Sequence, residues 1–133
     1  MYLLIHPQRL LHELQEEFRA YFPYLKLVFS WKKEGTFTYR ILSPEQEYLL
    51  RVEDISLIQQ NGMIAMEDET ILKDIIHDMK SRFGLRIKFL HFSESGWIST
   101  YAIRAATLGE LNEKGRHSFH ILHNVSASAK HLF

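Results

Sequence analysis

Apolar and polar positions along this chain fall into two regimes, one with the period of a helix and one with the two-residue period of a strand. The two regimes follow each other twice. Leu10, Leu11, Leu14, Phe18, Tyr21 and Phe22 recur at helical spacing, with Glu13, Glu16, Glu17 and Arg19 between them. Pro23 ends that stretch. Leu25, Leu27 and Phe29 then share one face of a strand over 24–31, with Lys26 on the other. Further along, Asp68 or Thr70 caps a second helix carrying Leu72, Ile75, Ile76, Met79 and Phe83. Gly84 is its natural C-cap, and 86–92 reads as a strand.

The two stretches align residue by residue. Leu10, Leu11 and Leu14 match Ile71, Leu72 and Ile75; Phe18 matches Met79, and Phe22 matches Phe83. After one inserted residue, Leu25, Leu27 and Phe29 match Leu85, Ile87 and Phe89. The alignment predicts an internal repeat, about 1–42 and 62–103, within a single domain over 1–133. Neither copy of such a unit buries its apolar face alone.

The rest of the chain supplies the connecting elements. Met1 to Ile5 reads as a terminal strand, and Pro7 fits the first turn of the helix that follows. The alternation of Phe37, Tyr39 and Ile41 with Thr36, Thr38 and Arg40 predicts a second hairpin strand. Ser43, Pro44 and Gln46 form a helix start with a capping box, and the helix should end near Asp54. Met63 to Met66 is a short strand, Ser93 to Gly96 a hairpin turn, and Trp97 to Ile103 the returning strand. Thr107 and Glu110 make a second capping box, opening a C-terminal helix from about 107, and the small polar tail 124–133 is expected to fray. Together these give an α+β fold of duplicated strand-helix-strand units. A ferredoxin-like or related two-layer sandwich with a mostly antiparallel sheet is one solution. Two copies of a different small α+β unit, with its own sheet order, is the other.

Charge and composition narrow the function. The 16 basic and 16 acidic side chains cancel, which argues against a nucleic-acid-backbone binder but leaves local patches open. Cysteine is absent, which excludes disulfides, thiolate metal sites and a cysteine nucleophile. The opening apolar run is too short for a signal peptide, and no later run approaches a membrane span, so a cytoplasmic protein with no membrane association is the expectation.

Candidate chemistry is sparse. His117, His120 and His123 are the only cluster with metal-site character. On a helix they spread over about a third of the circumference, close enough for two or three to share an ion; on a strand they separate. The segment lacks a nearby carboxylate to orient the rings. His91, Trp97 and Tyr101 lie on the proposed second hairpin and, if they share a face, line a ligand or partner surface. Asp54, Glu67, Asp68 and Glu69 are candidate acid/base or metal-ligating carboxylates, but Glu67, Asp68 and Glu69 sit where a helix begins, where negative charge complements the helix dipole. No glycine-rich phosphate loop or nucleophile elbow is present, and no cofactor is implied.

Thr70, Phe83-Gly84-Leu85, Trp97, Thr107-Leu108 and the Asn-x-x-Gly motif from Asn112 to Gly115, whose glycine either ends the third helix or sits within it, carry a resemblance to a group of small uncharacterised bacterial α+β proteins. In those relatives an acidic pair precedes the third-helix threonine, whereas Ala105-Ala106 stands there in this chain. The resemblance implies a fold and brings no functional residue with it. The sequence reading is therefore a non-enzymatic binding or self-association module, with a homo-oligomer or protein partner and no nucleic acid. A metal-binding protein or metal-dependent enzyme using the three histidines, and a small-molecule regulatory domain, are the alternatives.

Overall fold

The computed structural model describes residues 1–32 and 35–131, with side chains followed as far as Asn124. Its elements run β1 (Tyr2–Ile5), α1 (Leu11–Tyr21), β2 (Leu25–Trp31), β3 (Arg40–Ile41), α2 (Pro44–Leu49), α3 (Val52–Ile55), β4 (Gly62–Ala65), α4 (Leu72–Phe83), β5 (Arg86–Ser93), β6 (Gly96–Ser99), a 3-10 turn (Tyr101–Ile103) and α5 (Leu108–His131). The fold is α+β, and every strand pair is antiparallel.

The ferredoxin-like order is not the one adopted. Four strands form a sheet in the order β3-β2-β5-β6, while β1 and β4 leave it and pair with each other as a separate ribbon. The reason lies in backbone bonds made at the helix entrances. Leu11 N–H donates to Leu50 O (3.1 Å), and Val52 N–H donates to Arg9 O (2.9 Å). Leu72 N–H donates to Ala106 O (3.1 Å), and Leu108 N–H donates to Thr70 O (2.9 Å). These bonds hold the residues before α1 and α4 extended and tie each to the start of a later helix. They turn β1 and β4 away from the main sheet.

The same bonds correct two expectations about helix starts. Pro7 lies in a turn before α1, its carbonyl accepting from Glu53 N–H (2.8 Å). Thr70 does not cap α4; its hydroxyl accepts from Glu67 N–H (2.9 Å), and Ile71 holds the N-cap position with no side-chain bond. Leu11 N–H of α1 and Leu72 and Lys73 N–H of α4 are instead satisfied by distant carbonyls.

Other local signals are realised as read. Ser43 Oγ accepts from Gln46 N–H and Gln46 Oε1 from Ser43 N–H, completing the capping box of α2. Thr107 and Glu110 make the reciprocal pair at α5. Gly84 closes α4 at φ +60, with Leu57 and Ile58 backbone nitrogens so near that a Cβ would lie 2.8 Å from each. Two expected strands are shorter than the alternation suggests: only Arg40–Ile41 of 36–42 pairs, and the returning strand stops at Ser99. It stops because Thr100 turns inward, its N–H and hydroxyl both donating to Phe89 O (3.2 and 2.8 Å).

One cluster of buried apolar side chains runs through both halves. Leu25, Leu27, Phe29, Ile87 and Phe89 face Leu11, Leu14 and Phe18 of α1 and Leu72, Ile75, Met79 and Phe83 of α4. Leu3, Ile5, Ile64 and Met66 close one side from the ribbon, and Val52, Ile55, Leu108 and Leu111 enter from the later helices. Phe18 contacts Phe22 and Phe89 with ring centroids 5.3 and 5.4 Å apart. Each such fully buried side chain contributes about 1.5–3 kcal/mol through apolar burial.

α5 continues through Gly115. That glycine is buried where the helix crosses the start of β2, and a Cβ there would lie 2.8 Å from Tyr24 Cβ and 2.9 Å from Tyr24 O. Asn112, one turn earlier, accepts from Tyr24 N–H at 2.9 Å. Asn112 and Gly115 thus seat α5 on the sheet. The expected tail 124–133 enters this helix as far as His131; residues 132–133 and the side chains beyond Asn124 lie outside the described residues.

Candidate functional site

The histidine cluster lies on α5, as its helical reading required, and all three histidines are exposed. They do not assemble a ligand set. The rings of His120 and His123 pack against Phe119, with centroids 5.9 and 5.5 Å away. Among the described residues no group of three His, Cys, Asp or Glu side chains is placed to hold a metal ion.

His91, Trp97 and Tyr101 do not share a face. His91 pairs with Ile98 and Phe92 with Trp97 in the β5–β6 register, so His91 and Trp97 point to opposite sides of the sheet. His91 is buried on the core side, and burial lowers its pKa below the ordinary 6.5, opposed by its contact with Phe92 O. Trp97 packs edge-on against Phe92 on the far side. Tyr101 lies in the 3-10 turn, exposed.

The far face of the sheet is polar at its centre. Lys26, Arg86, Lys88 and Ser99 are exposed there, with Val28 and Ser30 buried among them. Arg86 lies over the Tyr39 ring, 3.9 Å from its centroid. At one end Phe119 of α5 packs on Tyr24 and Phe92. This face does not present the continuous apolar surface that would favour self-association through it.

A groove of 540 Å³ along the free edge of β5 brings together chemistry that the sequence scatters. α4 contributes Lys73, Ile76, His77 and Lys80; β5 contributes Ile87, Lys88 and Phe89; and Ser99, Thr100, Tyr101 and Arg104 close the end. Lys73, His77 and Lys80 stand on one stripe of α4 at the spacing that puts residues on a common face. The lining includes four permanent cations and a histidine, and no carboxylate. Asp74 and Asp78 belong to the neighbouring stripe and are exposed elsewhere on the helix. Arg104 lies 4.5 Å from the Tyr101 ring centroid, and its guanidinium holds the Tyr101 phenol below its ordinary range.

The groove runs along the side of β5 that faces away from β2. β6 pairs with β5 only from Leu90 to Ser93, so the β5 edge from Arg86 to Phe89 has no strand beside it. Odd-numbered residues of β5 turn their backbone groups to this edge, since Thr100 bonds Phe89 O there while Phe92 N–H bonds Tyr24 O on the other side. Thr100 takes Phe89 O. Among the described residues, Ile87 N–H, Ile87 O and Phe89 N–H have no backbone partner.

Two further hollows, of 500 and 400 Å³, flank the segment 35–42. Neither gathers charge of one sign along a strand edge. Glu47 of α2 is 5% exposed as a residue, and its carboxylate, without a hydrogen-bond or ion-pair partner among the described residues, touches solvent at its rim. Burial pushes its pKa from 4.5 up to about 7, against the pull of Lys26.

Sequence reading missed the groove because its cations come from three segments and are cancelled elsewhere by acids. The one local signal was the Lys73, His77, Lys80 stripe. Compared with protein-family models, curated proteins and solved structures, the chain matches none. Among the described residues no helix is long and apolar enough to cross a membrane. Fold and groove define the class: an α+β protein with a localised basic cleft.

Proposed function

We propose that this protein is a non-enzymatic binding module whose ligand is anionic and sits in the groove between α4, β5 and the 3-10 turn. The observation that carries this reading is the lining itself, in which Lys73, His77, Lys80 and Arg104, with Lys88 at the rim from the far face of the sheet, stand without a carboxylate in a chain of zero formal net charge. Cations held together in this way repel one another, and an anion relieves that repulsion. The cleft has no nucleophile paired with a base, and Ser99 and Thr100 serve the strand end. Zero net charge argues for an anion of groove size rather than a long nucleic acid.

Thermal unfolding with citrate or pyrophosphate tests the reading. A rise in Tm that grows with ligand, fades at high salt and is lost in Lys73→Glu/Lys80→Glu supports it. An unchanged Tm with both anions overturns it.

We further propose that the chain is a single domain built by duplication of one unit. Residues equivalent in the sequence alignment face each other across both central pairings: Leu3 opposite Ile64, and Val28 opposite Lys88. Self-association is a second reading, favoured by the exposed Tyr2, Leu4 and Met63 on the outer side of the β1–β4 ribbon. Light scattering at two protein concentrations tests it, and a concentration-independent monomer would remove it.

A further inference from the structure

We infer that the anion taken by the groove is a nucleotide, with its base on the Tyr101 ring and its phosphates running toward Arg86. The inference rests on the anion-binding reading of the same groove and goes further by naming the ligand class. Two independent features point to it. Charge continues along the groove beyond one end, and the other end carries an exposed aromatic ring.

The order along the groove follows from how its elements meet. Lys73 N–H donates to Arg104 O (2.9 Å) and Thr100 N–H to Phe89 O (3.2 Å), so Tyr101, Arg104 and Lys73 share one end. Lys80 stands at the other, roughly 10 Å from Lys73 along the axis of α4. There the groove does not stop. A smaller hollow of 230 Å³ shares Ile76, Lys80, Ile87 and Lys88 with it and turns round β5 onto the far face, adding Ser30, Tyr39 and Arg86. Neither hollow is lined by a carboxylate. Arg86, seated over the Tyr39 ring at 3.9 Å, presents its guanidinium to the last phosphate. This path of cations is longer than a compact anion covers and suits a chain of phosphates.

The end at Tyr101 is built differently. The residue is 70% exposed, and the Arg104 guanidinium lies over its ring, 4.5 Å from the centroid. Arg104 backs one face of the phenol, and a flat heterocycle stacks on the other. Ile76, half-buried midway along the groove, gives the sugar an apolar seat. The lining offers no carboxylate to hold Mg2+ beside the phosphates, so the lysines take the place of its charge and the metal-free nucleotide is the form bound.

The test titrates the full chain with ADP, pyrophosphate and citrate without divalent metal, by calorimetry and NMR. ADP should bind roughly tenfold tighter than pyrophosphate, the contribution of one stacked base, and shift the Tyr101 ring resonances. Tyr101→Leu should abolish the difference between the two ligands, and Tyr101→Phe should restore it. Lys73→Glu/Lys80→Glu, at exposed positions, should weaken both ligands, and excess Mg2+ should weaken ADP. Pyrophosphate or citrate binding without tighter ADP binding overturns the nucleotide and leaves the anion-binding module standing. An ADP advantage that survives Tyr101→Leu, or grows with Mg2+, overturns the inference as well. Binding of none of the three overturns both readings.

Discussion

Glu47→Gln should stabilise the protein at neutral and alkaline pH and do little in acid. Glu47 is nearly fully buried on α2 and lacks a partner for its carboxylate among the described residues, so its ionised form is disfavoured in the fold. Its folded pKa of about 7 lies above the ordinary 4.5 that the unfolded chain retains. Below 4.5 both states hold the proton, and ionisation imposes no penalty. As pH rises from 4.5 to about 7 the unfolded state releases its proton first, the folded state binds more protons, and stability falls. Above 7 both states are ionised and the penalty is constant. At ~1.4 kcal/mol per pH unit of separation the ceiling is about 3 kcal/mol, and water reaching the rim of the carboxylate brings it to about 2 kcal/mol. Glutamine keeps the shape and removes the charge. Urea unfolding of both proteins at about pH 4 and about pH 8 measures the effect. The variant should gain about 2 kcal/mol at the higher pH and almost nothing at the lower. An equal gain at both pH values, or a loss at pH 8, would refute the reasoning.

Three further substitutions probe the seating of α5 and the core face of β5. Gly115→Ala should destabilise by about 1–2 kcal/mol, since the overpacking against Tyr24 exceeds the gain in helix propensity; thermal or urea unfolding checks it. Asn112→Ala leaves Tyr24 N–H without its acceptor and should cost about 1–2 kcal/mol by the same measurement. His91 has its folded pKa lowered below 6.5 by burial, so the unfolded chain takes up a proton first as pH falls through that value, and the stability present above it is lost. His91→Gln should flatten that acid limb in a series of urea titrations, and an unchanged slope would show that His91 does not titrate as argued.

Much of this fold was legible because its signals are local. The apolar stripe of α1 and α4, the capping boxes at Ser43 and Thr107, and the left-handed Gly84 each act within a few residues, where spacing and side-chain chemistry decide the outcome. The separation of β1 and β4 from the main sheet was not legible. It depends on Leu11 meeting Leu50 and Leu72 meeting Ala106 through backbone groups that every residue carries. The lengths of β3 and β6 were missed because alternation identifies a face and says nothing about whether a partner strand continues. Thr100, read as a strand residue, spends its hydroxyl and N–H on ending the strand.

The same distinction between local and distant signals explains the candidate sites. His117, His120 and His123 are conspicuous in the sequence because they are close in the chain, yet two of their rings lie on Phe119 rather than around a common point. The groove cations are inconspicuous because Lys73 and Arg104 lie far apart in the chain and Asp74 and Asp78 stand among the lysines in the sequence. Folding separates these charges by side: the helix turns the aspartates away from the cleft and leaves the lysines along it. Charge balance over the whole chain and charge imbalance at one strand edge are therefore compatible.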